Sequence, residues 1–215
     1  MNLLDCYQQA VSDLLFKVRS TQREAIQKAG EMVADALMHG KRVYFGRICH
    51  SIEMDLFNRG GGPVCYQLYE ADKTELKEGD ILFVSSVSGR TLEVVNLAYD
   101  SVQAGVRVIA LTSMEYARAV DPVHESGKRL HEFVTLALDN CAPAAEAMMD
   151  VEGLKTRFAA ASGIASDFIM WSITSVMVET MLEAGCCPGI LKSLNFPGGA
   201  EFNEEVKKHY EEYGW

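Results

Sequence analysis

The sequence predicts an α/β fold: a five-stranded, parallel, doubly wound sheet flanked by helices, with a helical arm at the N-terminus. Two observations carry this. The short, uniformly apolar run 81–84 reads as a strand buried on both faces, and residues 106–112 read as a further strand. Stretches with helical apolar spacing alternate with them, the pattern that produces parallel crossovers. At 215 residues the chain suits a single domain spanning 1–215, with 1–40 as the arm.

Residues 3–39 read as helix, with stripes at Leu3, Tyr7, Val11, Leu14 and Val18 and then at Ile26, Ala29, Val33 and Leu37. Ser20-Thr21 marks an expected break. Thr21 is the expected cap of the second helix, with Glu24 in the capping-box position, and Gly40 closes it. Residues 42–46 form the first strand, followed by a loop through His50-Ser51 and a short helix over 52–59. The second strand is 64–69, the third 81–84, the fourth 106–112 and the fifth 133–138. Residues 140–163 show no clear element beyond a short helix around Met148. A long helix spans 164–184 with Gly185 as its stop, and a charged helix spans 203–213. A strand order 2-1-3-4-5 puts the switch point between strands one and three, so the loops 46–51 and 85–91 meet at one crevice.

Composition narrows the function. A chain 48% hydrophobic and 23% charged can bury a core and is not disordered. A net charge of -10 without a Lys/Arg cluster argues against nucleic-acid binding, although a local nest of donors still suits a small anion. The start of the chain lacks a basic segment and a long apolar core, so no signal peptide is expected. The apolar run 164–182 carries Asp167 and Glu179, which fits a buried or interfacial helix and no membrane association. Glu179, set among Val176, Val178 and Met181, calls for a partner, an interface hydrogen bond before a catalytic role. The six cysteines show no Cys-x-x-Cys spacing and read as reduced thiols of a cytoplasmic protein. No spacing among Cys49, His50, His124 and Asp139 supports a metal site.

The third strand runs into Ser85, Ser86, Ser88, Gly89 and Thr91, and from Leu92 the spacing turns helical up to Gly105. Such a turn aims hydroxyls, unpaired N–H groups and the positive helix end at one point, which suits a phosphate. The loop is neither a Walker loop nor a dinucleotide fingerprint, and serines without a lysine suit a phosphate monoester. Read blandly, Ser88 is only an N-cap.

The pattern Ser86-x-Ser88-Gly89-x-Thr91 and then Val106–Thr112 resembles the SIS (sugar isomerase) domain superfamily, which includes phosphoheptose isomerase and N-acetylmuramic acid 6-phosphate etherase. Further segments resemble one branch of it: Phe45-Gly46 with His50-Ser51, Arg59-Gly-Gly61, Lys77-Glu-Gly-Asp80, Ala110-Leu-Thr-Ser113, His124-x-Ser126-Gly-Lys-Arg-Leu130, Asp139-Asn140, and Asn195 with Gly198-Gly199 and Asn203. Two departures stand out. The first loop, Phe45-Gly-Arg-Ile-Cys-His-Ser51, lacks the usual second glycine, so the backbone is expected to approach a sugar less closely. The connection between strands two and three is shorter than in relatives.

The resemblance implies a sugar-phosphate ligand, no cofactor, and a homodimer or tetramer packed through the helical arm. Ser86, Ser88, Gly89 and Thr91 would hold the phosphate, with Gly46 and Ser51 on the opposite side. An aldose–ketose isomerase also needs a base and an acid, for which Glu53, Glu93 and His124 are the candidates. Each has a plainer reading: a solvated carboxylate, a helix-dipole partner, a hydrogen-bonded loop histidine. Three functions follow: a sugar-phosphate isomerase, a non-catalytic phosphosugar-binding sensor or regulatory module and, more weakly, a nucleotide binder.

Overall fold

The computed structural model describes residues 2–215, without the side chain of Cys49. Two N-terminal helices, α1 (Leu3–Thr21) and α2 (Arg23–Met38), lead into β1 (Val43–Phe45). A 3-10 turn (Cys49–Ser51), α3 (Glu53–Leu56), β2 (Tyr66–Leu68), β3 (Ile81–Ser85), α4 (Leu92–Gln103), β4 (Arg107–Thr112), α5 (Met114–Arg118) and β5 (Leu136–Asp139) follow. The chain ends with β6 (Ala147–Met149), β7 (Phe158–Ala160), α6 (Ser162–Glu183) and α7 (Gly199–Tyr213). The sheet is parallel in the order β2-β1-β3-β4-β5, as expected.

Alternation along β3 divides the core between two layers. Ile81 and Phe83 point toward α2 and α6, where Phe45 meets Tyr66 and Phe83 at ring separations of 4.7 and 5.6 Å. Leu82 and Val84 point the other way, onto Val94, Val95 and Ala98 of α4. All five residues of β3 are buried, which explains its unbroken apolar run. Against α2, α6 crosses so closely at Gly30 that a Cβ there would lie 2.4 Å from Val176 Cβ. Burial pushes the Cys65 thiol up to about 12, which makes it a packing group and no nucleophile.

Several expectations are corrected. Residues 147–160 hold an antiparallel hairpin, β6 with β7, in place of a short helix at Met148. Thr21 does not cap α2: its hydroxyl donates to the Lys17 carbonyl of its own helix, and Gln22 stands at the junction without a side-chain cap. The short helix after the first loop is confined to Glu53–Leu56, and the fifth strand begins at Leu136, Phe133 packing instead on Tyr99. The final helix begins earlier, at Gly199, after a left-handed Gly198. Glu179 is exposed beside Trp171, Val178 and Leu182. Among the described residues no helix is long and apolar enough to cross a membrane.

Three of the family-like segments prove to be scaffold. Buried Asp80 accepts from the Arg42 and Lys77 N–H groups, both at 2.9 Å, which ties the starts of β1 and β3 together. Arg129 donates from Nε to the Ala117 carbonyl at 2.7 Å and from Nη2 to Val120 at 2.9 Å, closing the end of α5. Asn203 brackets the Lys192 backbone, accepting its N–H at 2.7 Å and donating to its carbonyl at 2.8 Å.

Candidate functional site

The loops after β1 and β3 meet at the C-terminal edge of the sheet. The Gly46 N–H donates to the Phe83 carbonyl at 2.8 Å, and the Ser85 N–H donates to Arg47 at 2.7 Å. A Cβ on Gly46 would stand 3.2 Å from the Phe83 carbonyl oxygen, so this glycine serves close strand packing. Where the usual second glycine is missing, the backbone still turns: His50 and Ser51 adopt left-handed φ angles of 53° and 65°. Non-glycine residues adopt that region at a cost, so the turn carries local strain.

The Ser86–Thr91 loop is held from below. The Val87 carbonyl accepts from Thr112 Oγ1 and the Ser113 N–H, while Gly89, at φ 66°, donates its N–H to Ser86. The buried Ser86 hydroxyl accepts the Thr91 N–H at 3.1 Å and donates to Thr91 Oγ1 at 2.9 Å. Ser86 therefore shapes the loop. Ser88 is half-buried; among the described residues its hydroxyl has no partner, and the N–H groups of Ser88 and Arg90 make no backbone hydrogen bond. Thr91 stands at the N-cap of α4 without a side-chain cap bond, so donors of the first turn remain open. The result is a rigid cradle of donors at a helix N-terminus.

Glu53 begins α3, directly after the first loop, and its Oε2 is buried without a partner. The 3-10 turn of that loop rests on α6. Glu93 is exposed in the first turn of α4. His124 lies elsewhere. Its ring packs on Tyr99 at 4.8 Å, and its Nδ1 accepts the Ser126 N–H at 3.2 Å. Tyr99 is eight residues beyond Thr91, about 12 Å along α4. The fold thus brings Gly46 and Arg47 of the first loop against the end of β3, next to the Ser86–Thr91 loop, and it leaves His124 on the flank of α4.

Two further residues carry buried polar atoms without a partner. Ser85 was visible only as one hydroxyl in the cluster; its Oγ is buried and unpaired. Asp167 was visible only as a charge in an apolar run; its Oδ1 is likewise buried and unpaired. Burial, then the Asp55 carboxylate, push the Asp167 pKa up against the opposing pull of Arg59, which is ion-paired with Asp55. Asp139 accepts the Met114 and Cys141 N–H groups, and Asn140 donates to Ser166 of α6 at 3.4 Å.

The raised Asp167 pKa sets a pH dependence. The native chain holds this proton more tightly than the unfolded chain, so the carboxyl costs no stability below its ordinary 3.8. The cost grows as pH rises through the raised value and is complete above it. Asp167→Asn is therefore expected to raise the melting temperature at pH 7 by about 1 °C, with the gain fading toward pH 3.8. Thermal melts of both proteins across that range check it, and a variant less stable at pH 7 contradicts it.

Comparison with known proteins agrees with this fold. The SIS domain model matches residues 65–113, from β2 through the loop to the end of β4. A UPF0309 protein of Shouchella clausii is 30% identical over 98% of this chain and 97% of its own length. Among solved structures, a phosphoheptose isomerase from Francisella tularensis superposes with a TM-score of 0.58 at 14% identity, over 82% of this chain and 98% of that one. The Vibrio vulnificus NanR protein complexed with ManNAc-6P gives 0.55 at 16% identity, over 98% of this chain and 69% of that one. With a near full-length relative at 30% identity, this chain belongs to the UPF0309 family, and its residues 65–113, from β2 to the end of β4, match the SIS domain.

Proposed function

We propose that the protein binds a phosphorylated sugar at the β1/β3 crevice and isomerises it between aldose and ketose. The observation that carries this is the cradle of open donors around Ser88 at the start of α4. The Ser88 hydroxyl and the N–H groups of Ser88, Arg90 and the first helical turn receive the phosphate oxygens. Ser86 keeps Thr91 in place, and Ser51 meets the ligand from the first loop.

Glu53 is the base of this reading. Its carboxylate removes the proton from the carbon beside the carbonyl, giving an enediol, and returns it to the former carbonyl carbon. A proton moves between the two oxygens in the same sense, so no redox cofactor is consumed. Glu93, exposed in the first turn of α4, is the alternative base. His124 meets only a ligand that reaches past Leu92 along the helix. The exposed apolar side of α6, with Trp171, Val178 and Leu182 around a groove of about 620 Å³, is the proposed face for self-association. The free thiols of Cys6, Cys65, Cys141, Cys186 and Cys187 fit a cytoplasmic setting.

A ligand that binds only the native state raises the melting temperature by mass action, so a panel of sugar phosphates and their unphosphorylated counterparts tests the proposal. A shift confined to the phosphorylated members is expected. Ser88→Ala removes one charge-assisted hydrogen bond and is expected to weaken binding by about 10–100-fold; unchanged affinity overturns the phosphate site. A second reading is binding without turnover; NanR, which shares the fold, is complexed with ManNAc-6P. The two readings share the cradle and differ in whether Glu53 works as a base.

A further inference from the structure

We infer that a cavity at the opposite edge of the sheet, where β1 and β3 start, binds a small, multiply charged anion at a site separate from the phosphate cradle. The cavity has a volume of about 400 Å³, and Lys41, Arg42, Tyr44, Glu75, Lys77 and Asp80 line it. Part of its wall is the connection between β2 and β3, residues 69–80, which contains neither helix nor strand. Parallel crossovers usually carry a helix. Here turns alone make the crossing, and Lys41 and Arg42 at the start of β1 are left half-exposed.

The charges around this cavity are unevenly matched. Both carboxylate oxygens of Asp80 are taken by backbone, Oδ1 by the Arg42 N–H and Oδ2 by the Lys77 N–H. Among the described residues, Lys41, Arg42 and Lys77 form no ion pair. Lys41 Nζ donates to the Glu78 carbonyl at 2.8 Å, and Lys77 is exposed. The Arg42 guanidinium lies over the Tyr210 ring at 5.0 Å, with its Nη1 buried and lacking a hydrogen-bond partner. Such an atom calls for a reason. Glu75, exposed, is the one other carboxylate of the lining. Three cations without carboxylate partners thus line one cavity in a chain whose net charge is -10.

The chemistry of the lining selects the ligand. Ammonium and guanidinium groups donate and never accept. An anion with two or more charges can bridge them through charge-assisted hydrogen bonds. Burial and then the Asp80 carboxylate raise the pKa of the Tyr44 phenol, which keeps it a donor as well. A neutral ligand would leave the cations without countercharge, and an amine would be repelled. Phosphate and carboxylate groups share the chemistry that fits. From Asp80 to Ser86 the chain runs nearly extended through β3, about 20 Å at about 3.3 Å per residue, so one small ligand does not span both sites.

The test is isothermal titration with pyrophosphate and with citrate at fixed ionic strength. Wild type is compared with Lys41→Gln, Lys77→Gln, Ser88→Ala and Lys28→Gln. Lys28 is exposed on α2, so its variant makes the same change in net charge away from the cavity. Lys41→Gln and Lys77→Gln are each expected to weaken binding of the tighter probe by about 3–10-fold. Lys28→Gln and Ser88→Ala should stay within about twofold of wild type. Lys77 is exposed, so its variant should melt at the wild-type temperature when no ligand is present. The tighter probe assigns the site to phosphate or to carboxylate ligands. Wild-type affinity in both cavity variants overturns the site. An equal loss in Lys28→Gln also overturns it, because long-range charge then explains the binding. A loss in Ser88→Ala alone assigns the anion to the cradle and overturns the second site, as does a wild type that binds neither probe. Failure of the proposed sugar-phosphate function leaves these expectations unchanged.

Discussion

Glu53→Gln is expected to lower turnover of the sugar phosphate by about 10²–10⁴-fold, the usual contribution of a positioned base, while affinity stays within about twofold. Glutamine retains the shape of the side chain and its place at the start of α3, so the first loop has no reason to move. What is lost is the lone pair that accepts a carbon-bound proton. The unpaired Oε2 is the structural basis for choosing this residue, since an oxygen already bonded within the protein would have to break that bond first. Exchange of the substrate proton with solvent deuterium provides a second reading. Wild type should label the carbon beside the carbonyl, and the variant should not. A variant with full turnover transfers the role to Glu93, and a wild type that binds without exchange leaves a binding protein.

The second large effect concerns the frame. Gly30→Ala is expected to lower the melting temperature by about 3–9 °C, although alanine is the better helix former by about 1 kcal/mol. The added Cβ would lie 2.4 Å from Val176 Cβ, 2.5 Å from Val176 Cγ1 and 2.9 Å from the Ile173 carbonyl oxygen. Overpacking of this kind costs about 1–3 kcal/mol or more, and in a chain of this size each kcal/mol moves the midpoint by about 2–4 °C. Because α6 carries Asp167 and closes over the first loop, a displaced crossing should also weaken ligand binding. Val176→Ala in the same chain should restore part of the loss by clearing the side-chain contacts. Restoration stays partial, because the Ile173 carbonyl is backbone and cannot be trimmed. The double-mutant cycle measures that coupling directly. A Gly30→Ala protein as stable as its parent shows that the helices separate at no cost.

How much was legible in advance differs from residue to residue. A strand over residues 81–84, the hydroxyl loop after it and the start of α4 were all readable from the chain, and the structure extends the strand to Ser85. They depend on neighbours a few positions apart: a doubly buried run, a glycine at positive φ, a return to helical spacing. The sheet order followed from the alternation of such elements. The hairpin at 147–160 was not readable, because two three-residue strands leave almost no periodic signal and hold each other by pairing across the turn.

The roles of individual polar residues were set by the tertiary structure alone. Asp80, Arg129 and Asn203 sat in segments that matched a family of ligand binders, and each spends its polar atoms on backbone groups of the scaffold. His124, at the head of one such segment, is turned onto Tyr99 along the flank of α4. Ser85 and Asp167, 82 positions apart in sequence, are left without partners only because the packing of β3 and α6 buries them. Sequence determines where backbone donors are exposed, since that is a property of local conformation. Whether a side chain finds its hydrogen-bond partner within the protein is decided by what packs against it, and that choice separates the scaffold of this chain from its site.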